Sequence, residues 1–158
     1  MTTVNHTLMP AASPADRLLA LTGRLGHFPR SLVELGLRTG VGAVFFKSGL
    51  SKIANWELTV QLFADEYAVP LLPPEIAAYM ATTAELVCPV LLVLGLAARF
   101  GALALLGMTA VIQIFVYPDS WAEHLLWASV FVYVLTQGAG KLSVDHAIRR
   151  VFDRSASR

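Results

Sequence analysis

A chain of 158 residues has room for one domain. With 56% hydrophobic and 15% charged residues, it is too apolar for a water-soluble fold of that size. The net charge of +1 sets up no field for nucleic acid, and a single cysteine, Cys88, excludes an internal disulfide or a CxxC redox pair.

The chain opens on a polar stretch without a compact apolar run ahead of a small-residue cleavage site, so no secretory signal is expected. Residues 1–30 form a first segment. Within it, positions 14–28 set Leu18, Leu21, Leu25 and Phe28 on one helical face and Arg17 and Arg24 away from it, as in a helix lying on a membrane surface. Residues 31–146 then carry four stretches near the ~20 apolar residues that a bilayer-crossing helix needs, at about 31–53, 75–97, 100–117 and 122–137. Between the first two, 56–67 has Val60, Phe63 and Tyr67 at helical spacing before Pro70, Pro73 and Pro74 break the pattern, which predicts a second surface helix. Trp56, Trp121 and Trp127 are expected at that interface. Residues 147–158 form a basic tail.

The predicted fold class is all-α, an integral membrane four-helix bundle with short interfacial helices. Charge orients it. Arg17, Arg24, Arg30, Arg99, Lys141, Arg149, Arg150, Arg154 and Arg158 fall on one side, while Glu57, Asp65, Glu66, Asp119 and Glu123 fall on the other. The positive-inside rule then places both termini in the cytoplasm of a multi-pass protein of the bacterial inner membrane.

Ionisable groups inside a span are costly, which makes each a candidate for function. Glu85 lies ten residues into the second stretch, roughly 15 Å from either surface, among Thr82, Cys88 and Pro89. It is the expected proton carrier. Arg38 and Lys47 compete as its partner and face opposite ways. Arg38 shares its face with Glu34, Gly42, Gly49 and Lys52, which favours a Glu85–Arg38 pair; the alternatives are an Arg38–Glu34 pair one turn apart, or snorkelling. Gln113, His124, Tyr117 and Tyr133 are predicted to line a pocket near the outer surface. That pocket suits a quinone headgroup, which needs a donor at each carbonyl and a titratable group. In the plainer alternative Gln113 bonds a neighbouring helix and His124 is solvated. No metal site is predicted: His124 is the only histidine near a span, and Cys88 lies roughly 20 Å from its depth.

Several local patterns follow in order: Leu37-Arg38-Thr39-Gly40, then Phe45-Phe46-Lys47-Ser48-Gly49-Leu50-Ser51-Lys52, then Glu85 with Leu91-Leu92-Val93-Leu94-Gly95-Leu96, then His124, and finally Gly138-Ala139-Gly140-Lys141-Leu142-Ser143-Val144-Asp145. Over roughly 35–146 the set resembles the DoxX family, with Arg38, Gly49, Lys52, Glu85, Gly95, His124, Gly138, Gly140 and Asp145 on the recurring positions. The resemblance implies a four-helix membrane fold and a component of membrane redox systems, notably quinol oxidase and thiosulfate:quinone oxidoreductase. Other relatives are linked to defence against oxidative or thiol stress. The chain carries no extra soluble domain for a sulfur substrate, so the expectation is an accessory subunit rather than a complete enzyme. It would exchange quinone, carry no covalent cofactor, and rely on a protein partner for redox centres; self-association is left open. The alternative is a non-catalytic membrane scaffold or stress-associated accessory protein.

Overall fold

The computed structural model describes residues 13–25 and 28–156. The chain divides into two units, Met1–Arg30 and Ser31–Arg158. In the first, α1 (Pro14–Leu25) starts with a reciprocal cap. The Asp16 N–H donates to Ser13 Oγ at 3.2 Å and the Ser13 N–H to Asp16 Oδ2 at 2.9 Å. These bonds, the backbone one foremost, hold the Asp16 carboxyl below its usual range. Leu18 and Phe28 are exposed. The side chains of Leu21, Arg24 and Leu25, on which the rest of the expected apolar face depends, lie outside the described residues, as does Arg158.

In the second unit the chain is helical throughout its described core. The long helices are α2 (Arg30–Ala54), α4 (Pro74–Leu94), α5 (Ala98–Val111) and α6 (Trp121–Gln137). A π-helical turn, Ile112–Val116, continues α5, giving 19 residues from Ala98 to Val116. This helix and α4 are each long and apolar enough to cross a membrane. Helix α2 bears Glu34, Arg38, Lys47 and Lys52, and α6 has only 17 residues, which sets both apart from that pair.

Helix α4 packs on α5, and α5 on α6. Helix α2 closes the ring: Phe45 stacks edgewise on Trp127 and Phe131 of α6, at 5.1 and 5.5 Å between ring centroids. On its other side, α2 meets α4 through two glycines. A Cβ at Gly49 would lie 2.9 Å from Leu86 and 3.0 Å from Glu85, and one at Gly42 3.3 Å from Val93, so these small residues let the backbones approach. Phe45, Leu92, Ala98, Ala102, Leu105, Phe131 and Val134 form the core between the four helices.

The connections differ at the two ends. Between α2 and α4, the short helix α3 (Trp56–Leu62) runs into a π-helical turn, Phe63–Tyr67, and packs Phe63 and Val60 against Ala77 and Ala78 in the first turns of α4. Pro74 opens α4, where its missing N–H costs nothing. Between α4 and α5 the turn is tight. Leu96 N–H bonds the Leu91 carbonyl and Gly95 N–H that of Leu92, a Schellman closure with Gly95 at φ 67°. The last helix, α7 (Val144–Ala156), docks its start on this turn; the described part of the tail is therefore helical.

Candidate functional site

Helix α2 buries a single stripe: Glu34, Arg38, Val41, Gly42, Phe45 and Gly49. This is the face expected from the helical period, and Lys47 is exposed on the opposite side. The stripe carries charge to both ends of the bundle.

At the α7 end, Arg38 is 1% exposed. Its guanidinium donates to the carbonyls of Leu92 at 2.7 Å and Val93 at 3.0 Å in the last turn of α4. It also donates to Leu142 at 2.7 Å and, through Nε, to Glu34 at 3.3 Å. A cation at the carbonyl end of a helix is favoured by the helix dipole. Glu34 accepts the Tyr133 hydroxyl at 3.1 Å. Gly140, at φ 79°, lies so close that a Cβ there would run into the Glu34 carboxylate. Asp145 completes this end, accepting the N–H groups of Ala97 at 2.9 Å and Ala98 at 3.3 Å. Ala97 is left-handed, φ 47°, and is held there by that bond.

At the α3 end, Glu85 of α4 is 3% exposed. Its partner is Lys52, not Arg38 or Lys47: the Lys52 Nζ lies 2.8 Å from Oε2 and donates to Oε1 at 2.9 Å. Ser48 donates to the same Oε1 at 3.1 Å and accepts from Lys52 at 2.9 Å. Oε2 finds no well-directed hydrogen bond among the described residues; the 2.8 Å approach makes it an ion pair held by charge. The expected Glu85–Arg38 pair is thus corrected. The two cations lie 14 residues apart, about 21 Å along α2, and Arg38 is spent on carbonyls. Sequence reasoning weighed only Arg38 and Lys47 as partners, although Lys52 shares the packed face with Arg38. Helix α2 stops short of the α4 N-terminus: Gly49 is level with Glu85, so Lys52 faces the middle of α4, not its start.

The ion pair borders a cavity of about 300 Å³, at the lower end of the range for small-ligand sites. Phe45, Met108, Ile112 and Trp127 form apolar walls, and Ser48, Lys52, Glu85, Tyr67, Tyr117 and His124 place polar groups on it. Both π-helical turns contribute, through Phe63 and Tyr67 and through Ile112 and Val116. They are tied together by the Tyr117 hydroxyl, which donates to Glu66 at 3.0 Å. Such turns re-aim side chains and recur at functional sites.

His124 is 4% exposed and its Nδ1 lies 2.7 Å from Gln113 Oε1. The Gln113 amide is oriented by its other end, which donates to the Pro118 carbonyl at 2.7 Å. The oxygen therefore faces the ring, Nδ1 carries the proton, and Nε2 is left as an acceptor. Gln113 acts behind His124 and does not itself line the cavity. Tyr133 is not part of this group. It sits with Glu34 at the opposite end, nine residues and about 14 Å from His124. Tyr117 is on the cavity wall.

The described structure is all-α, with a carboxylate–ammonium pair facing an aromatic cavity and two helices long and apolar enough to cross a membrane. The match to known proteins is specific. The DoxX family model matches residues 33–118, and an uncharacterized protein of Haemophilus influenzae is 34% identical over 120 residues, covering 68% of this chain and 78% of the relative. No solved structure matches significantly. The chain belongs to the DoxX family of membrane proteins. The matched stretch holds Arg38, Lys52, Glu85 and Gln113; His124, Tyr133, Gly140 and Asp145 lie beyond it.

Proposed function

We propose that this protein is a small inner-membrane subunit of a redox complex that binds and exchanges quinone in the cavity beside Lys52 and Glu85. The reading includes four spans with both termini in the cytoplasm. Three of the five charges within α2, those of Glu34, Arg38 and Lys52, turn inward, while Leu37, Val44, Phe46, Leu50 and Ile53 remain exposed as a lipid-facing surface. Helix α6, 17 residues long, reaches about 26 Å, and the Pro118–Ser120 turn lengthens it. Arg99, Lys141, Arg149 and Arg150 lie toward the α7 end, and Glu57, Asp65, Glu66 and Glu123 toward the α3 end, which supports a cytoplasmic α7 end.

The observation that carries the quinone reading is the pairing of an apolar, aromatic-walled cavity with two proton-handling groups, Glu85 and His124, on its lining. Lys52 and Ser48 supply donors for a quinone carbonyl, and His124 Nε2 supplies an acceptor for a quinol hydroxyl. A quinol leaving two electrons on a partner's redox centre would release its two protons to these groups. The partner is part of the proposal, since the reading gives this chain the binding site and not the electron acceptor.

The test is titration of the nanodisc-embedded protein with a short-chain ubiquinone. Saturable binding is expected, weakened about tenfold or more in Glu85→Gln, because the neutral amide no longer positions Lys52, whose charged hydrogen bond to the quinone carbonyl is worth ~1.5–3 kcal/mol. Absence of saturable binding in the wild type overturns the reading. One observation favours a second role, a scaffold without redox chemistry: Lys52, Ser48 and Glu85 already satisfy one another, as a structural pair would.

A further inference from the structure

Among the described residues, the last helix meets the bundle through its first turn, and its residues from Ala147 to Ser155 are exposed. The Asp145 N–H donates to the Gly95 carbonyl at 2.9 Å, the Asp145 carboxylate caps α5, and His146 is half-buried beside it. Past that anchor, Ile148, Val151 and Phe152 form one exposed stripe with Val144, reaching 65% exposure at Val151 and 69% at Phe152. Their spacing of three and four residues aligns them on a single face. By the same period Arg149 flanks the stripe on one side and Arg154 on the other, with Arg150 and Asp153 on the opposite face.

We propose that α7 lies on an anionic phospholipid surface, that of the bilayer holding the bundle. Ile148, Val151 and Phe152 enter the acyl boundary, and the flanking arginines meet lipid phosphates. Two features select this occupant. An apolar stripe bordered on both sides by arginine complements a negatively charged interface. The anchor also leaves no linker: α7 begins at the α4–α5 turn, where the two most apolar helices end and where Leu94, Leu96 and Leu142 are exposed as well. The inference is separate from the quinone reading and requires only that α4 and α5 cross the bilayer.

The experiment uses full-length protein with Cys88→Ala and a fluorophore on Ser155→Cys, which lies on the same stripe. The protein is placed as single copies in nanodiscs of phosphatidylcholine, with or without phosphatidylglycerol. In the phosphatidylglycerol discs the label should be quenched by bromolipid. Replacing Arg149 or Arg154 by Gln should weaken docking roughly fivefold each, with unchanged thermal unfolding of the bundle, while Arg150→Gln on the far face should have a smaller effect. A label that stays in water in the anionic discs overturns the proposal. So does equal burial in both lipids, or burial only in discs holding two copies, which would identify a second chain as the occupant.

Discussion

The two ends of the bundle bury a cation from the same face of α2, and they use it differently. At the α7 end, Arg38 is shared among backbone carbonyls of α2, α4 and the loop before α7. At the α3 end, Lys52 meets a carboxylate and a hydroxyl on the edge of a cavity. The planar guanidinium, with five fixed donors, suits the first task, while a compact ammonium on a flexible stem suits the second. Position on a helix face therefore did not define role. What matters is whether the neighbouring helix presents its carbonyl end or a side chain at that depth.

Breaking the α7 end should have the largest effect. Arg38→Met strips four carbonyls of a donor at once, and about 3–5 kcal/mol of stability should be lost. Thermal unfolding in detergent checks this, with exposed Lys47→Met as the control. A shift no larger than the control's would show that these carbonyls are satisfied without Arg38.

The α3 end should respond in a way that depends on the partner. Glu85→Gln or Lys52→Met alone leaves one charge unmatched in the interior and should cost ~3 kcal/mol. Glu85→Leu combined with Lys52→Met removes both charges and should recover most of that loss. The comparison sharpens when binding is measured beside stability. If the pair handles protons, the double variant refolds well and still binds no quinone. If it only sets the register of α2 on α4, stability returns and there is no binding to lose.

Much of this architecture was legible. The stretches expected at 31–53, 75–97, 100–117 and 122–137 correspond to Arg30–Ala54, Pro74–Leu94, Ala98–Val116 and Trp121–Gln137, because long apolar runs between prolines and glycines leave little choice. The packed face of α2 was legible too, from its 3.6-residue period. Depth was not. A shared face favoured Arg38 for Glu85, but Lys52 lies on that face too, and depth selects it because α3 folds back along the first turns of α4 and α2 ends level with the middle of α4. The two π-helical turns carry no residue signature, so their part in shaping the cavity was hidden. Tyr133 and α7 are different cases. Helix rise alone separates Tyr133 from His124, and the spacing of Ile148, Val151 and Phe152 was present in the tail.

Asp145 offers a finer test of the α7 end. Its carboxylate caps α5 and fixes Ala97 in a left-handed conformation. Asp145→Ala should cost about 1–2 kcal/mol, the usual loss for an N-cap, and Asp145→Asn about half as much because one acceptor survives. Amide exchange should quicken first at Ala97 and Ala98 and along α7, not at α6. Uniform quickening across the bundle would mean that this contact is part of global stability rather than a local clasp.

The smallest effect is expected at Gln113, and it bears on the α3 end alone. Gln113→Leu removes one neutral hydrogen bond to His124, worth about 1 kcal/mol, and frees the Pro118 carbonyl at an exposed site where water can replace the lost donor. Stability should barely move. The ring should lose its tautomer preference, since nothing then requires the proton on Nδ1, and Nε2 is no longer held as the acceptor for a quinol hydroxyl. The nitrogen resonances of His124 read this directly: a shift from protonated Nδ1 toward a mixture is expected, with weaker ubiquinol binding and the Lys52–Glu85 pair intact. An unchanged tautomer would place the control of His124 elsewhere, with Trp127, whose ring lies 5.2 Å away, the next side chain to vary.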